Sequence, residues 1–154
     1  MLRRWFAVLL LTVLPMVSAA QQKETTMHHA HSTFTVSIKP LTPAPAEGLS
    51  RYSIDKVITG DLEATTKGEM FSGGDPKLGE AGYVAIEVVT GTLAGKHGIF
   101  AFQQMATMDK NGPKMTGMIV PGSGTGELKG IAGTFTIKVE GGVHQLDVVY
   151  TLPE

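Results

Sequence analysis

Few side chains in this sequence stand where they could do chemistry. Gln104 and His144 fall in the apolar phase of segments that alternate like β-strands, and Glu87 lies in Tyr83–Thr90, a run dense in valine and isoleucine. Inside a cavity, a carboxylate or an imidazole can move protons, and an amide can orient a ligand. His28, His29 and His31 form a second group, because clustered neutral imidazoles bind copper, nickel or zinc. Spacing fixes no carboxylate or further histidine beside them, so the expected metal content is none.

The absent motifs narrow the chemistry further. The chain has no G-x-S-x-G elbow, P-loop, H-E-x-x-H or dinucleotide fingerprint. Ser123, in Gly122-Ser123-Gly124-Thr125-Gly126, has no base assigned to it and reads as part of a glycine-rich turn. The cysteine count of 0 excludes disulfides, thiol nucleophiles and cysteine-ligated metals. No cofactor is implied. His144 follows the Gly141-Gly142 turn, a rim position where capping by a backbone carbonyl accounts for it more simply than acid–base work.

These residues need strands to position them. Thr33–Ile38 alternates and reads as a first strand; Pro40, Pro43 and Pro45 then mark a loop through Ser50. Arg51–Thr66 has Tyr52, Ile54, Ile58 and Leu62 in phase, and Glu69–Ser72 reads as a separate short strand. Tyr83–Thr90, Ile99–Met108, Met115–Val120, Thr134–Glu140 and Val143–Leu152 complete the set. No convincing apolar period of 3.6 interrupts it. A repeat, G-x-L-x-G-x-x-G-x-F, occurs at Gly91–Phe100 and again at Gly126–Phe135. It predicts two similar hairpins, with glycine supplying the positive φ of each turn. The expected fold is all-β, a single antiparallel barrel of about eight strands, which buries one face of each strand and removes exposed edges.

The repeat also sets the phase. Phe135, Ile137 and Val139 should face the core, and superposition places Phe100, Phe102 and Gln104 at the matching positions. Gln104 is thus expected inward, where burying an unpaired amide costs on the order of 1–3 kcal/mol. In the last strand Leu146, Val148, Tyr150 and Leu152 share a phase with His144. Periodicity in Tyr83–Thr90 favours Val84, Ile86 and Val88 as core and Glu87 as solvent-facing.

The N-terminus reads as an export signal over residues 1–20. Arg3 and Arg4 precede the apolar run Trp5–Val17, and Val17-Ser18-Ala19 and Ser18-Ala19-Ala20 both offer small residues for cleavage. The run is short for a membrane span of roughly 20 residues, so no stable membrane insertion is expected after cleavage. Residues 21–31 read as a flexible lead-in and 32–154 as the barrel domain. The product is expected to be periplasmic or secreted. Acidic residues outnumber basic ones, 14 to 13, with no basic stripe, which argues against nucleic acid as a partner.

Gly60-Asp61-Leu62-Glu63, then Glu87 ahead of Gly91-Thr92-Leu93-Ala94-Gly95, then Val120-Pro121-Gly122-Ser123-Gly124-Thr125-Gly126-Glu127-Leu128, resemble a bacterial family. It is the one catalogued as domain of unknown function 3224, and the resemblance spans roughly residues 32–152. It implies a small barrel similar to that of allene oxide cyclase, with no established activity. Family members tend to carry a charged residue where this chain has Val88, which implies that Glu87 faces inward. They often carry histidine where this chain has Gln104, and many of them look cytoplasmic.

The expectation that follows is a barrel binding a small hydrophobic molecule, without catalysis. Its candidate contacts are Glu87, Gln104, His144, Phe100, Phe102 and Tyr150. One alternative is an isomerase or cyclase acting on a hydrophobic substrate with Glu87 as base. The other is a packed structural barrel whose Val84, Ile86 and Val88 join copies into a homo-oligomer.

Overall fold

A computed structural model describes residues 26–153. The expected signal segment and the start of the lead-in lie outside the described residues. Eight antiparallel strands follow in chain order: β1 (Met27–Leu41), β2 (Leu49–Gly60), β3 (Leu62–Asp75), β4 (Glu80–Leu93), β5 (Lys96–Asp109), β6 (Gly112–Ile119), β7 (Ala132–Glu140) and β8 (Val143–Thr151). Each pairs with its sequence neighbours, and β1 pairs with β8 to close the barrel.

Several boundaries differ from the sequence expectation. β1 starts at Met27 because β8 offers a partner, with Met27 opposite Thr151 and His29 opposite Val149. Residues 27–31 are therefore strand rather than flexible lead-in. β1 also runs through Pro40, which sits opposite Tyr52. Its pairing with β8 ends at Phe34, so Pro40 has a neighbour on one side only, an edge position that proline tolerates. Arg51–Thr66 is not one strand. It breaks at Gly60-Asp61, and β3 then continues unbroken through Glu69–Ser72 to Asp75.

The two repeat copies make different turns. Ala94 and Gly95 have φ of 47° and 83°, two consecutive positive values that give the tight hairpin between β4 and β5. In the second copy Lys129 has φ −60° and ψ 127°, Gly130 has φ 83°, and the Ile131 N–H donates to the Leu128 carbonyl. That is a type II turn, following a 3-10 helix at Gly126–Leu128. Ala94 holds a left-handed conformation that costs an L-residue roughly 1–2 kcal/mol and asparagine less. Ala94→Asn is therefore expected to stabilise the fold by about 0.5–1 kcal/mol. Urea unfolding checks this, and an unchanged midpoint would mean that Ala94 carries no strain.

The connection from Val120 to Ile131 closes one end of the barrel. Thr125 N–H donates to Ile99 O at 2.8 Å and Val120 N–H to Ala101 O at 2.9 Å. This seats Leu128 and Ile131 among the buried Leu62, Leu93 and Phe100. Ser123 belongs to the same clasp: its hydroxyl donates to Val120 O and accepts from Ala101 N–H. The opposite end carries the loops after β1, β3 and β5 and stays open. Val139, expected in the core, is 60% exposed. It keeps the inward phase but sits near the open end of β7, opposite His144 and past the packed interior.

Candidate functional site

Three layers stack along the barrel axis. The closed end is apolar. Phe100 and Phe102 meet edge-to-face at 5.2 Å between ring centres, and Phe102 lies 4.2 Å from Phe135. Above them is a polar layer: Lys56 on β2, Thr66 on β3, Glu87 on β4 and Gln104 on β5 are all buried. Ile54 and Ala85 come next, each one inward position nearer the open end and also buried. Above these the open end forms a cavity of about 360 Å³ whose walls include Ile38, Tyr52, Met70, Tyr83, Ala106 and Met108.

Glu87 is the centre of the polar layer and is only 1% exposed. Lys56 Nζ donates to its Oε1, the Thr66 hydroxyl donates to Oε2 at 2.6 Å, and Gln104 Nε2 donates to Oε1 at 3.1 Å. The Thr66 oxygen in turn accepts the Lys56 backbone N–H at 3.0 Å. A carboxylate with three donors satisfies the demand that a buried charge be paired and hydrogen-bonded. Burial pushes the Lys56 ammonium down from its ordinary range, and the charge and hydrogen bond of Glu87 partly offset this. The ammonium also lies 5.3 Å from the centre of the Phe34 ring. Tyr83, on the cavity wall, is raised first by burial and then by the charge of Glu87.

Glycine makes the layer fit. Gly68 is paired with Ile54 on one side and Glu87 on the other. A Cβ there would lie 2.0 Å from Ile86 O and 2.8 Å from Glu87 Cγ. The strand crossing that carries Glu87 inward therefore leaves no room for a side chain on β3.

Glu87 thus points inward, against the periodicity of its strand and as the family resemblance implied. Val84, Ile86 and Val88 instead face out, each at least half exposed. Gln104 faces inward as expected. The other candidates are elsewhere. Phe100 and Phe102 pack the closed end rather than line the cavity. Tyr150 stacks on His28 at 5.2 Å, also toward the closed end, because the Val120–Ile131 connection shuts that side. His144 sits 4.9 Å from Phe34 in a separate cleft beside Gly142 and Val143. Strand alternation splits the three histidines. His28 turns toward Tyr150, while His31 is on the outer wall, with Nδ1 2.5 Å from Asp147 Oδ1 and its backbone N–H on Asp61. Among the described residues no group of three or more histidine or acidic side chains could hold a metal.

Lys56 and Thr66 belong to the site but not to the candidates. The signal was present: Lys56 interrupts the apolar phase of Tyr52, Ile54 and Ile58. A lysine in that phase demands a buried anion, and Glu87 on β4 supplies it across the intervening β3.

The model of a family described as "Protein of unknown function (DUF3224)" matches residues 30–150. A crystal structure from Shewanella oneidensis, described as a protein with unknown function from the DUF3224 family, is 36% identical with a TM-score of 0.74. The match covers 85% of this chain and 99% of that one. Comparison with curated proteins finds no match.

Proposed function

The chain belongs to the DUF3224 family, and on that premise we propose that it is an exported barrel that holds a small, mostly apolar molecule in its open end. The observation that carries this is the cavity of about 360 Å³ above the polar layer. Its volume falls in the range of ordinary small-molecule sites, about 300–1,000 Å³. Its walls are aromatic and aliphatic: Ile38, Tyr52, Met70, Tyr83 and Met108. Binding is favoured over isomerisation because both oxygens of Glu87 are already engaged by three donors, leaving it poorly placed to take a substrate proton.

Native mass spectrometry of gently purified protein tests the reading. A bound small molecule is expected in the wild type and is lost in Ala106→Phe, which fills the cavity from its wall. Identical spectra for the two proteins would sink the proposal. Export makes its own prediction: protein recovered from the periplasm begins at Ala20 or Gln21, whereas a full-length mass there would refute cleavage.

A second reading concerns the outer wall. Val84, Ile86 and Val88 on β4 adjoin Met105 and Ile99 on β5, forming an uncharged strip whose residues are 41–54% exposed. Lys67 and Glu69 stand beside it on β3, opposite Val88 and Ile86. Glu69 is already paired with Arg51, so a two-fold contact between copies would rest on burying the strip against itself. Val88→Lys is expected to convert such a dimer to monomer in light scattering; a wild type that is monomeric at high concentration would remove this reading.

A further inference from the structure

Gln104 is 3% exposed, yet its Oε1 has no hydrogen-bond partner. The amide cannot be turned round to relieve this. Nε2 donates to Glu87 Oε1, and reversal would set two acceptors against each other. The carboxylate thus fixes the amide and turns its oxygen away from the Lys56–Glu87 pair. Gln104 lies opposite Ala85, one inward position below the Tyr83–Ala106 pair on the cavity wall. Toward the cavity its neighbours are the small side chains of Ala85 and Ala106, while on the β6 side the Phe135 ring packs against the opposed Gly117.

From this geometry we infer that the ligand of the barrel is an amphiphile: an apolar body carrying a neutral hydrogen-bond donor that reaches Gln104 Oε1. The inference rests on the binding function proposed above and names the class of molecule that fits it. A buried carbonyl oxygen without a donor loses roughly 1–3 kcal/mol, which a hydroxyl or amide N–H from the ligand restores. Charge sets the rest of the selectivity. The Lys56 cation is held by Glu87, so no free cation remains in the layer for an anionic head. A carboxylate would bring like charge toward Glu87 and offer only acceptors to an acceptor. The class is therefore an alcohol, phenol or amide with an aliphatic or aromatic tail, rather than a fatty acid or a pure hydrocarbon.

Calorimetric titration of the full chain with 1-decanol, methyl nonyl ether and decanoate separates the outcomes. The alcohol and the ether have equal numbers of heavy atoms, and only the alcohol has a donor. The wild type is expected to bind the alcohol about tenfold more tightly than the ether and to bind decanoate most weakly. Gln104→Leu is expected to keep the ether affinity and lose the preference for alcohol. Equal affinity for alcohol and ether in the wild type would overturn the inference while leaving cavity binding intact. That result would mean that a resident water already satisfies Gln104. Failure of all three to bind would overturn the binding function itself. The wild-type comparison decides the case even where the variant does not fold.

Discussion

Replacing Glu87 with leucine alone is expected to cost about 3–5 kcal/mol of stability, because it leaves the Lys56 ammonium buried without its anion. It also strands the Thr66 hydroxyl and the Gln104 amide, which both donate to that carboxylate. The triple variant Lys56→Met/Glu87→Leu/Gln104→Leu is expected to fall within about 1 kcal/mol of wild type or to exceed it, since apolar replacement of a buried pair is often neutral or stabilising. Thr66 is left in place because its oxygen still accepts the backbone N–H of residue 56, and its hydroxyl proton, without the Glu87 acceptor, is the one polar cost that the triple variant keeps. Urea unfolding of the wild type and both variants measures this. A single variant within 1 kcal/mol of wild type would show that the pair is not desolvated.

The same pair predicts a pH dependence. Burial holds the folded Lys56 below its ordinary value of 10.5. Between the depressed folded value and 10.5, the unfolded chain binds a proton that the folded chain has released. Stability should therefore rise with pH across that window. Tyr83 has the opposite sign: its folded value is raised above 10.0, so stability falls as pH climbs past that point. Removing Glu87 abolishes the two contributions that hold Lys56 up, so the rise should begin at lower pH in Glu87→Leu than in wild type.

Gly68→Ala is expected to cost about 3 kcal/mol, at the upper end of the range for overpacking. The added methyl would meet Ile86 O at 2.0 Å and Glu87 Cα at 2.7 Å, and backbone atoms cannot swing aside as a side-chain tip can. Gly82→Ala on the neighbouring strand is the control. There the nearest atom, Ala106 O, is 3.4 Å away, and the change should stay within about 1 kcal/mol of wild type. Equal thermal shifts for the two variants would contradict the close crossing of β3 and β4.

Most of the architecture was legible because alternation reports which face a strand buries. Phe100, Phe135, Leu146 and Val148 announced their inward phase, and Gln104 was found as the polar exception to it. Glu87 was not, for a physical reason. β4 is apolar on both faces: Ala85 and Val89 are buried inside while Val84, Ile86 and Val88 are exposed outside. Periodicity cannot choose between two apolar faces, and the family resemblance supplied what it lacked. Lys56 could have settled the matter, since a lysine in apolar phase on β2 calls for an acid among its inward neighbours. The wall of the cavity was less visible. It depends on which end the Val120–Ile131 connection closes, and strand phase is blind to position along the axis. Phe100, Phe102 and Tyr150 were for that reason expected beside a ligand when they are core.

The wall of this barrel is unevenly knit. β3 and β4 share fourteen opposed residues, whereas β6 and β7 share two, Gly117 with Phe135 and Met118 with Thr134. Toward the open end those two strands diverge, and each keeps a ladder on its other side only. In dynamic terms the barrel there behaves as an open sheet with two free margins. Local opening should start along this line, so the amides of Gly117, Met118 and Phe135 should exchange with solvent sooner than those of β3 and β4. The ring of Phe135, packed against Gly117 where a side chain would otherwise stand, is then the main latch across the gap. Breathing at this seam would widen the mouth without disturbing the Lys56–Glu87 pair on the far side.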